Sequence, residues 1–180
     1  MIELILGGAR SGKSALAEQR VVASQLTVTY LATAQARDAE MAERIAHHQA
    51  RRPSGWALVE EPLHLAAMLT KHAALGRCLL VDCLTLWLSN LLFADDGKDD
   101  KQCGQRLAQE TAALLTVLPQ LPGRVILVSN EVGLGIIPLG EITRRFVDEA
   151  GRLNQRVATL ADRVTFVAAG LPLELKSPAA

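Results

Sequence analysis

Aromatic residues are scarce in this chain: two Trp, one Tyr and three Phe among 180 residues. Proteins that grip single-stranded nucleic acid stack bases on aromatic rings, so that class is disfavoured. Neither sign of charge is in excess, with 19 Lys plus Arg against 19 Asp plus Glu. No basic field advertises nucleic acid or an anionic membrane as a partner. Cysteine is sparse too. Cys78, Cys83 and Cys103 are odd in number and make no C-x-x-C pair. A disulfide framework and a zinc site are therefore not expected, and the three read as free thiols in a reducing compartment. No apolar run is long enough to cross a bilayer. The first residues enter an apolar strand without the basic start and core of a signal peptide. A cytoplasmic protein is expected.

What is present is a large apolar fraction, 49%, enough to build one folded domain over residues 1–180. Ile2 to Leu6 reads as a buried strand, followed by a glycine turn and a helix from Ser14 to Ala23. Val28 to Ala32 is a second strand. Asp38 is placed to cap a helix running to Ala50, stopped by Pro53, Ser54 and Gly55. Pro62 suits the first position of another helix, which Gly76 closes. Cys78 to Asp82 is an apolar strand ending in a carboxylate, and Leu84 to Phe93 is an apolar helix. Ala94 to Lys101 is an acidic surface loop. Further helices are expected over Gln105–Leu118 and Glu141–Leu160, and further strands over Arg124–Ser129 and Val164–Ala168. A short Pro-containing tail follows. The strands are continuous apolar runs that alternate with helices, which indicates an α/β fold: a mostly parallel central sheet with helices on both faces.

Gly7-Gly8-Ala9-Arg10-Ser11-Gly12-Lys13-Ser14 fits G-x-x-x-x-G-K-[ST], the phosphate-binding P-loop. A triphosphate needs many donors close together, so backbone must wrap it, and glycine permits that geometry. The next helix turns its positive end toward the phosphates. Lys13 neutralises the β and γ oxygens, and the Ser14 hydroxyl is suited to Mg²⁺. A buried strand before the loop and a helix after it are the context the motif requires. The class is then a P-loop NTPase of the RecA-like kind. Asp82, at the carboxyl end of a buried strand, suits a second Mg²⁺ contact. It equally suits an N-cap for the next helix.

Met41, Ile45 and His48 are spaced to share the apolar stripe of one helix, whereas His47 falls near Glu43 and Arg44 on its polar side. His48 is then either a packed, satisfied side chain or a nucleophile. A neutral imidazole nitrogen attacks phosphorus to form a phosphoramidate. Arg44, Arg51 and Arg52 are placed to stabilise phosphate oxygens, or simply to solvate the end of the helix.

Several separated stretches together resemble the bifunctional adenosylcobinamide kinase / adenosylcobinamide-phosphate guanylyltransferase family of cobalamin biosynthesis. They are the P-loop, Tyr30-Leu31-Ala32-Thr33-Ala34-Gln35, and Asp38-x-Glu40-Met41-x-x-Arg44-Ile45-x-x-His48 with Arg52-Pro53. Trp56 with Glu60 and Asp82-Cys83-Leu84-Thr85 with Asn90 to Phe93 continue the pattern. Val128-Ser129-Asn130-Glu131-Val132-Gly133-x-Gly135 and Arg144-x-Phe146-x-Asp148-x-x-Gly151-x-x-Asn154-Gln155 complete it. The P-loop alone is widely shared, but the histidine helix, the Asn-Glu-Val-Gly loop and the Asn-Gln helix in combination are specific.

The resemblance implies two reactions. ATP or GTP phosphorylates the hydroxyl of adenosylcobinamide, and GTP then gives GMP to that phosphate through a guanylylated histidine, releasing pyrophosphate. It implies His48 as that histidine and Lys13 as the second catalytic residue. The implied nucleotide site comprises Gly8, Ala9, Arg10, Ser11, Gly12, Lys13 and Ser14 with Ala32, Thr33, Ala34, Gln49, Arg51, Arg52, Glu60 and Asp82. Mg²⁺ would be held by Ser14 and Asp82. A homotrimer is implied as well. One departure is visible: Gln49 stands where the family often has Arg or Lys.

Two other readings compete. One is a P-loop kinase of another small metabolite, with His48 structural. The other is a module that couples hydrolysis to rearrangement of DNA, which the balanced charge disfavours. The apolar loop residues Leu134, Ile136, Ile137 and Leu139 suit either the corrinoid or a subunit interface.

Overall fold

A computed structural model of the chain describes residues 1–35, 43, 53, 55–93 and 100–178. Seven strands form one sheet: β1 (Ile2–Gly7), β2 (Thr27–Ala32), β3 (Ala57–Glu60), β4 (Arg77–Asp82), β5 (Arg124–Asn130), β6 (Arg163–Ala168) and β7 (Leu171–Lys176). Their order is β3-β2-β4-β5-β1-β6-β7. Every neighbouring pair is parallel except the β6–β7 hairpin. The described helices are α1 (Lys13–Ala23), α2 (Leu65–His72), α3 (Leu84–Phe93), α4 (Asp100–Val117) and α5 (Glu141–Leu160), with a 3₁₀ turn at Leu118–Gln120.

The strands are apolar on both sides because both sides are covered. On one face Ile5, Leu80, Ile126 and Val128 pack with Ala17 and Val21 of α1. On the other, Leu4, Leu31, Leu79, Val81 and Leu127 pack with Leu69 of α2, Trp87 and Leu91 of α3, Leu114 of α4 and Leu153 and Val157 of α5. Each fully buried Leu or Ile contributes about 1.5–3 kcal/mol of transfer free energy. Trp87 is fully buried, and its indole N–H donates to Leu63 O at 2.8 Å. The expected mostly parallel sheet with helices on both faces is what forms.

One buried charge interrupts the apolar pattern. Glu3 of β1 has no solvent exposure. Arg20 of α1 pairs with one of its carboxylate oxygens, and Arg124 Nη2 donates to the other at 2.8 Å. Arg20 Nη1 also donates to Thr165 Oγ1 at 2.9 Å. These bonds tie α1, β5 and β6 to the start of β1.

Four expectations need correction. The helix after Pro62 begins at Leu65, not at Pro62. Glu61 is the reason: its Oε1 accepts from Leu63 N and His64 N at 2.9 and 2.8 Å, and holds the chain in a turn there. Helix α4 starts at Asp100, inside the expected acidic loop. Ala57–Glu60 is a strand, β3, where none was expected. The expected C-terminal tail is strand β7, paired antiparallel with β6. The helix expected from Asp38 to Ala50 lies outside the described residues apart from Glu43, which is helical. Among the described residues, no helix is long and apolar enough to cross a membrane.

Candidate active site

All parallel strands deliver their carboxyl ends to one edge, and the P-loop lies there between β1 and α1. Gly7 ends β1. A Cβ on it would sit 2.4 Å from Ser11 Oγ and 2.6 Å from Val167 O, so the turn needs glycine. Gly12 is left-handed, with φ 97°, and Gly170 Cα lies 3.2 Å from where its Cβ would be. The loop is fastened at three points: Ser11 N donates to Gly8 O at 3.2 Å, Leu16 N to Gly12 O at 3.0 Å, and Gly170 N to Ser11 O at 2.8 Å. The last bond comes from the β6–β7 turn, where Ala169 and Gly170 both have positive φ. Helix α1 has no side-chain cap and no acid in its first turn. Its end keeps a positive character suited to an anion.

Lys13 is buried, with Nζ donating to Gly8 O at 3.0 Å. Burial lowers its pKa from the ordinary amine value, partly offset by the negative charge of Asp82. Asp82 therefore stands close enough to Lys13 to act on it electrostatically. The Asp82 carboxylate also accepts from Tyr30 OH at 3.2 Å, and Tyr30 stacks on Trp56 with ring centroids 6.5 Å apart. The Asp82–Cys83 peptide is cis. The sheet register puts Glu60, Ala32 and Asp82 side by side on β3, β2 and β4. Three of the expected site residues thus share one line across adjacent strand ends.

Thr33 is fully buried beneath this edge. Its Oγ1 donates to Cys83 O at 2.7 Å and accepts from Cys83 N at 2.9 Å. Asn90 of α3 reaches the same place, donating to Thr33 O at 2.7 Å and Pro62 O at 3.2 Å. Thr85 Oγ1 accepts from Asn130 N at 2.6 Å and lies 3.2 Å from Ser129 Oγ. These side chains bolt the ends of β2, β4 and β5 together. Sequence reasoning gave Thr85, Asn90 and Ser129 no role; only their place in the quoted stretches singled them out. The Cys83 thiol is pushed up to about 11, first by burial and then by the Asp82 charge. All three cysteines are buried and free, as expected.

Ala9, Arg10, Ser14 and Ala34 lie on the same edge: the first three in the loop or the start of α1, the last just after β2. His47, His48, Gln49, Arg51 and Arg52 lie outside the described residues. The chain that bears them leaves β2 at this edge, after Gln35, and rejoins β3 at Ala57.

A phosphate loop with a buried lysine, an Asp on a nearby strand end and the separated Asn-Glu and Asn-Gln segments invite comparison with known proteins. A family model described as cobinamide kinase / cobinamide phosphate guanyltransferase matches residues 3–175. The chain belongs to this family. The bifunctional adenosylcobalamin biosynthesis protein CobP of Pseudomonas aeruginosa is 61% identical over 176 residues, covering 98% of each chain. The proteins of the same description called CobU, from Salmonella typhimurium and Escherichia coli, are 41% and 38% identical over 182 residues. Both alignments cover 98% of this chain and 100% of the relative. Among solved structures, a RadB recombinase has a TM-score of 0.49 at 18% identity, covering 92% of this chain and 73% of that one. As a member of the cobinamide kinase / guanylyltransferase family, the chain is a bifunctional enzyme: a kinase and a guanylyltransferase.

Proposed function

We propose that this one P-loop edge serves both reactions, phosphorylation of adenosylcobinamide and transfer of GMP from GTP to the resulting phosphate through guanylylated His48. The observation that carries this reading is the buried Lys13 on a glycine-built loop, within electrostatic reach of Asp82. In the kinase step the loop amides and Lys13 hold the triphosphate, and the γ-phosphorus passes to the cobinamide hydroxyl as its bond to the β-phosphate oxygen breaks. In the second step an imidazole nitrogen of His48 attacks the α-phosphorus and pyrophosphate leaves into the loop. The phosphate of cobinamide phosphate then displaces the histidine. Splitting the transfer lets GTP and a bulky corrinoid use the site in turn.

Magnesium fits the donors present. Ser14 and Asp82 offer hard oxygen ligands, and this ion characteristically takes one or two protein groups and fills its shell with phosphate and water. When bound, it spreads the charge on the transferring phosphoryl group. Ala32, Thr33, Ala34, Glu60, Gln49, Arg51 and Arg52 complete the nucleotide site in this reading. Leu134, Ile136, Ile137 and Leu139 are exposed; apolar side chains gathered at a surface mark an interface, and this reading takes that interface to build a homotrimer. A soluble cytoplasmic trimer would have about three times the 19.3 kDa mass of one chain by light scattering.

The test is GTP labelled at the α-phosphate. The protein should acquire an acid-labile, base-stable GMP adduct, mapped by mass spectrometry to His48. His48→Ala should keep the kinase step and lose GMP transfer. Full GMP transfer by that variant, or an adduct on His47, would overturn the assignment.

A further inference from the structure

Two of the stretches that distinguish this family take no part in the phosphate chemistry above: Asn130-Glu131-Val132-Gly133 and Gly151-x-x-Asn154-Gln155. The structure brings them together. Asn154 Nδ2 on α5 donates to Asn130 O at 3.4 Å. Both stretches line a cavity of about 410 Å³ between α5 and the β6–β7 hairpin. Buried Leu6 and Val164 form its floor, Leu175 and Lys176 of β7 stand at its edge, and Glu131, Gly151 and Asn154 form its other side. It adjoins the phosphate loop, since Leu6 precedes Gly7 and Glu131 N donates to Gly7 O at 3.1 Å.

Lys176 also lines the cavity, but its Nζ donates to Ala158 O and Thr159 O at 3.1 and 3.0 Å, so it does not match the acceptors of Asn154 and Glu131. Asn154 is 5% exposed, and its Oδ1 has no hydrogen-bond partner among the described residues. A buried acceptor left unpaired costs free energy that a ligand donor recovers. Glu131 brings a carboxylate, one oxygen of which accepts from Gly133 N at 2.7 Å. Gly151 sits in the helix interior, where glycine is unfavourable. A Cβ there would meet nothing within 4 Å, so packing does not require the glycine. It widens the cavity. Beside the mouth, Leu171, Leu173 and Leu175 of β7 are 71%, 61% and 58% exposed. Leu173 pairs with Phe166, which packs on the α5 side of the sheet, so this apolar row continues the cavity floor.

We propose that this cavity and the adjoining β7 face seat the corrinoid, with Asn154 and Glu131 accepting hydrogen bonds from its peripheral carboxamide N–H groups. A corrinoid amide combines an apolar macrocycle with a rim of amide donors, and it is larger than the cavity. It would fill the cavity with its edge and cover the leucine row with its ring. A nucleobase would leave that row bare. This assignment rests on the reading that the enzyme phosphorylates cobinamide at the P-loop edge, since the cavity presents the acceptor to that edge.

The experiment is steady-state kinetics on the full chain, with the KM for cobinamide and the KM for GTP measured separately, alongside the GMP-adduct assay. Gly151→Leu fills the cavity from a helix position that tolerates a side chain. It should raise the cobinamide KM about tenfold or more and leave the GTP KM and the adduct unchanged. Glu131→Gln, which keeps shape and alters charge, should raise the cobinamide KM severalfold, again without moving GTP. A cobinamide KM unchanged in both variants overturns the proposal. A rise in the GTP KM instead would overturn it by giving the cavity to the nucleoside. Failure of the wild-type protein to form an adduct, with the cobinamide KM still responding, would sink the histidine step and leave the cavity assignment standing.

Discussion

Lys13 is held where a bound anion suits it better than an empty loop does. Burial lowers its pKa, and Asp82 only partly restores it. A lysine in the unfolded chain keeps its proton to near pH 10.5, so the unfolded state binds more protons in the interval below that value. Stability of the nucleotide-free enzyme therefore rises with pH across that interval, as folded Lys13 gives up a charge that is costly to bury. Lys13→Met should abolish both reactions yet stabilise the free protein by about 1 kcal/mol at neutral pH. That advantage should shrink as the pH approaches 10.5. Urea titrations at several pH values check both parts; a destabilised Met variant would show that the charge is better solvated than its burial implies. Cys83 makes a matching case. With its pKa near 11 and its side chain buried, the thiol stays protonated and sheltered at pH 8. A thiol reagent should modify none of the three cysteines rapidly in the native enzyme and all three in denaturant.

The strand ends act as elements only because side chains fasten them to one another. Thr33 satisfies both the N–H and the C=O of Cys83 from the end of β2. Thr33→Val keeps the shape and strands two buried backbone groups, which should cost about 2 kcal/mol. Expected is a lower denaturant midpoint with an unchanged slope; an unmoved midpoint would show that water or a shifted backbone replaces the hydroxyl. Such bolts are invisible in the chain, because Thr33 and Cys83 are 50 positions apart. What was legible is what local rules dictate. β1, the loop and α1 announce themselves through an apolar run, two positions that demand glycine, and a helix former after them. The helix Glu141–Leu160 is legible, its start above all, because Pro138 and Gly140 precede it and its apolar stripe is regular. β3 was missed because it is a four-residue edge strand, mostly exposed. β7 was missed because Pro172 discouraged the reading, although Leu171, Leu173 and Leu175 do alternate. Proline is tolerated on an edge strand, where one side needs no ladder bond. Lys13 and Asp82 could be chosen from sequence by motif and strand-end position. The meeting of Asn154 with Asn130, and its place beside Glu131 on one cavity, required the fold.

At the scale of the whole molecule, the strand order gathers loops from every part of the chain onto one edge, so a triphosphate bound there holds together segments that sequence keeps apart. The P-loop touches β1, α1 and, through Gly170, the β6–β7 hairpin; Asp82 brings β4, and Glu60 brings β3. A ligand that binds only this assembled edge stabilises the entire cooperative unit. At a GTP concentration about 100-fold above Kd with magnesium present, the native state should gain about 2.7 kcal/mol. For a domain of this size that corresponds to a rise in Tm of about 5–10 °C. Chelating the magnesium should shrink the rise, because Ser14 and Asp82 would then face the phosphates without the ion between them. Lys13→Met should show almost no rise although its free form melts higher, which separates binding from stability in one experiment. Gly151→Leu should keep the full GTP-induced rise, since its cavity is assigned to the other substrate. Differential scanning fluorimetry on the three proteins, with and without GTP and a chelator, reads all of these together. A GTP-induced rise that survives Lys13→Met would place the triphosphate somewhere other than this loop, and the two-step transfer would lose its site.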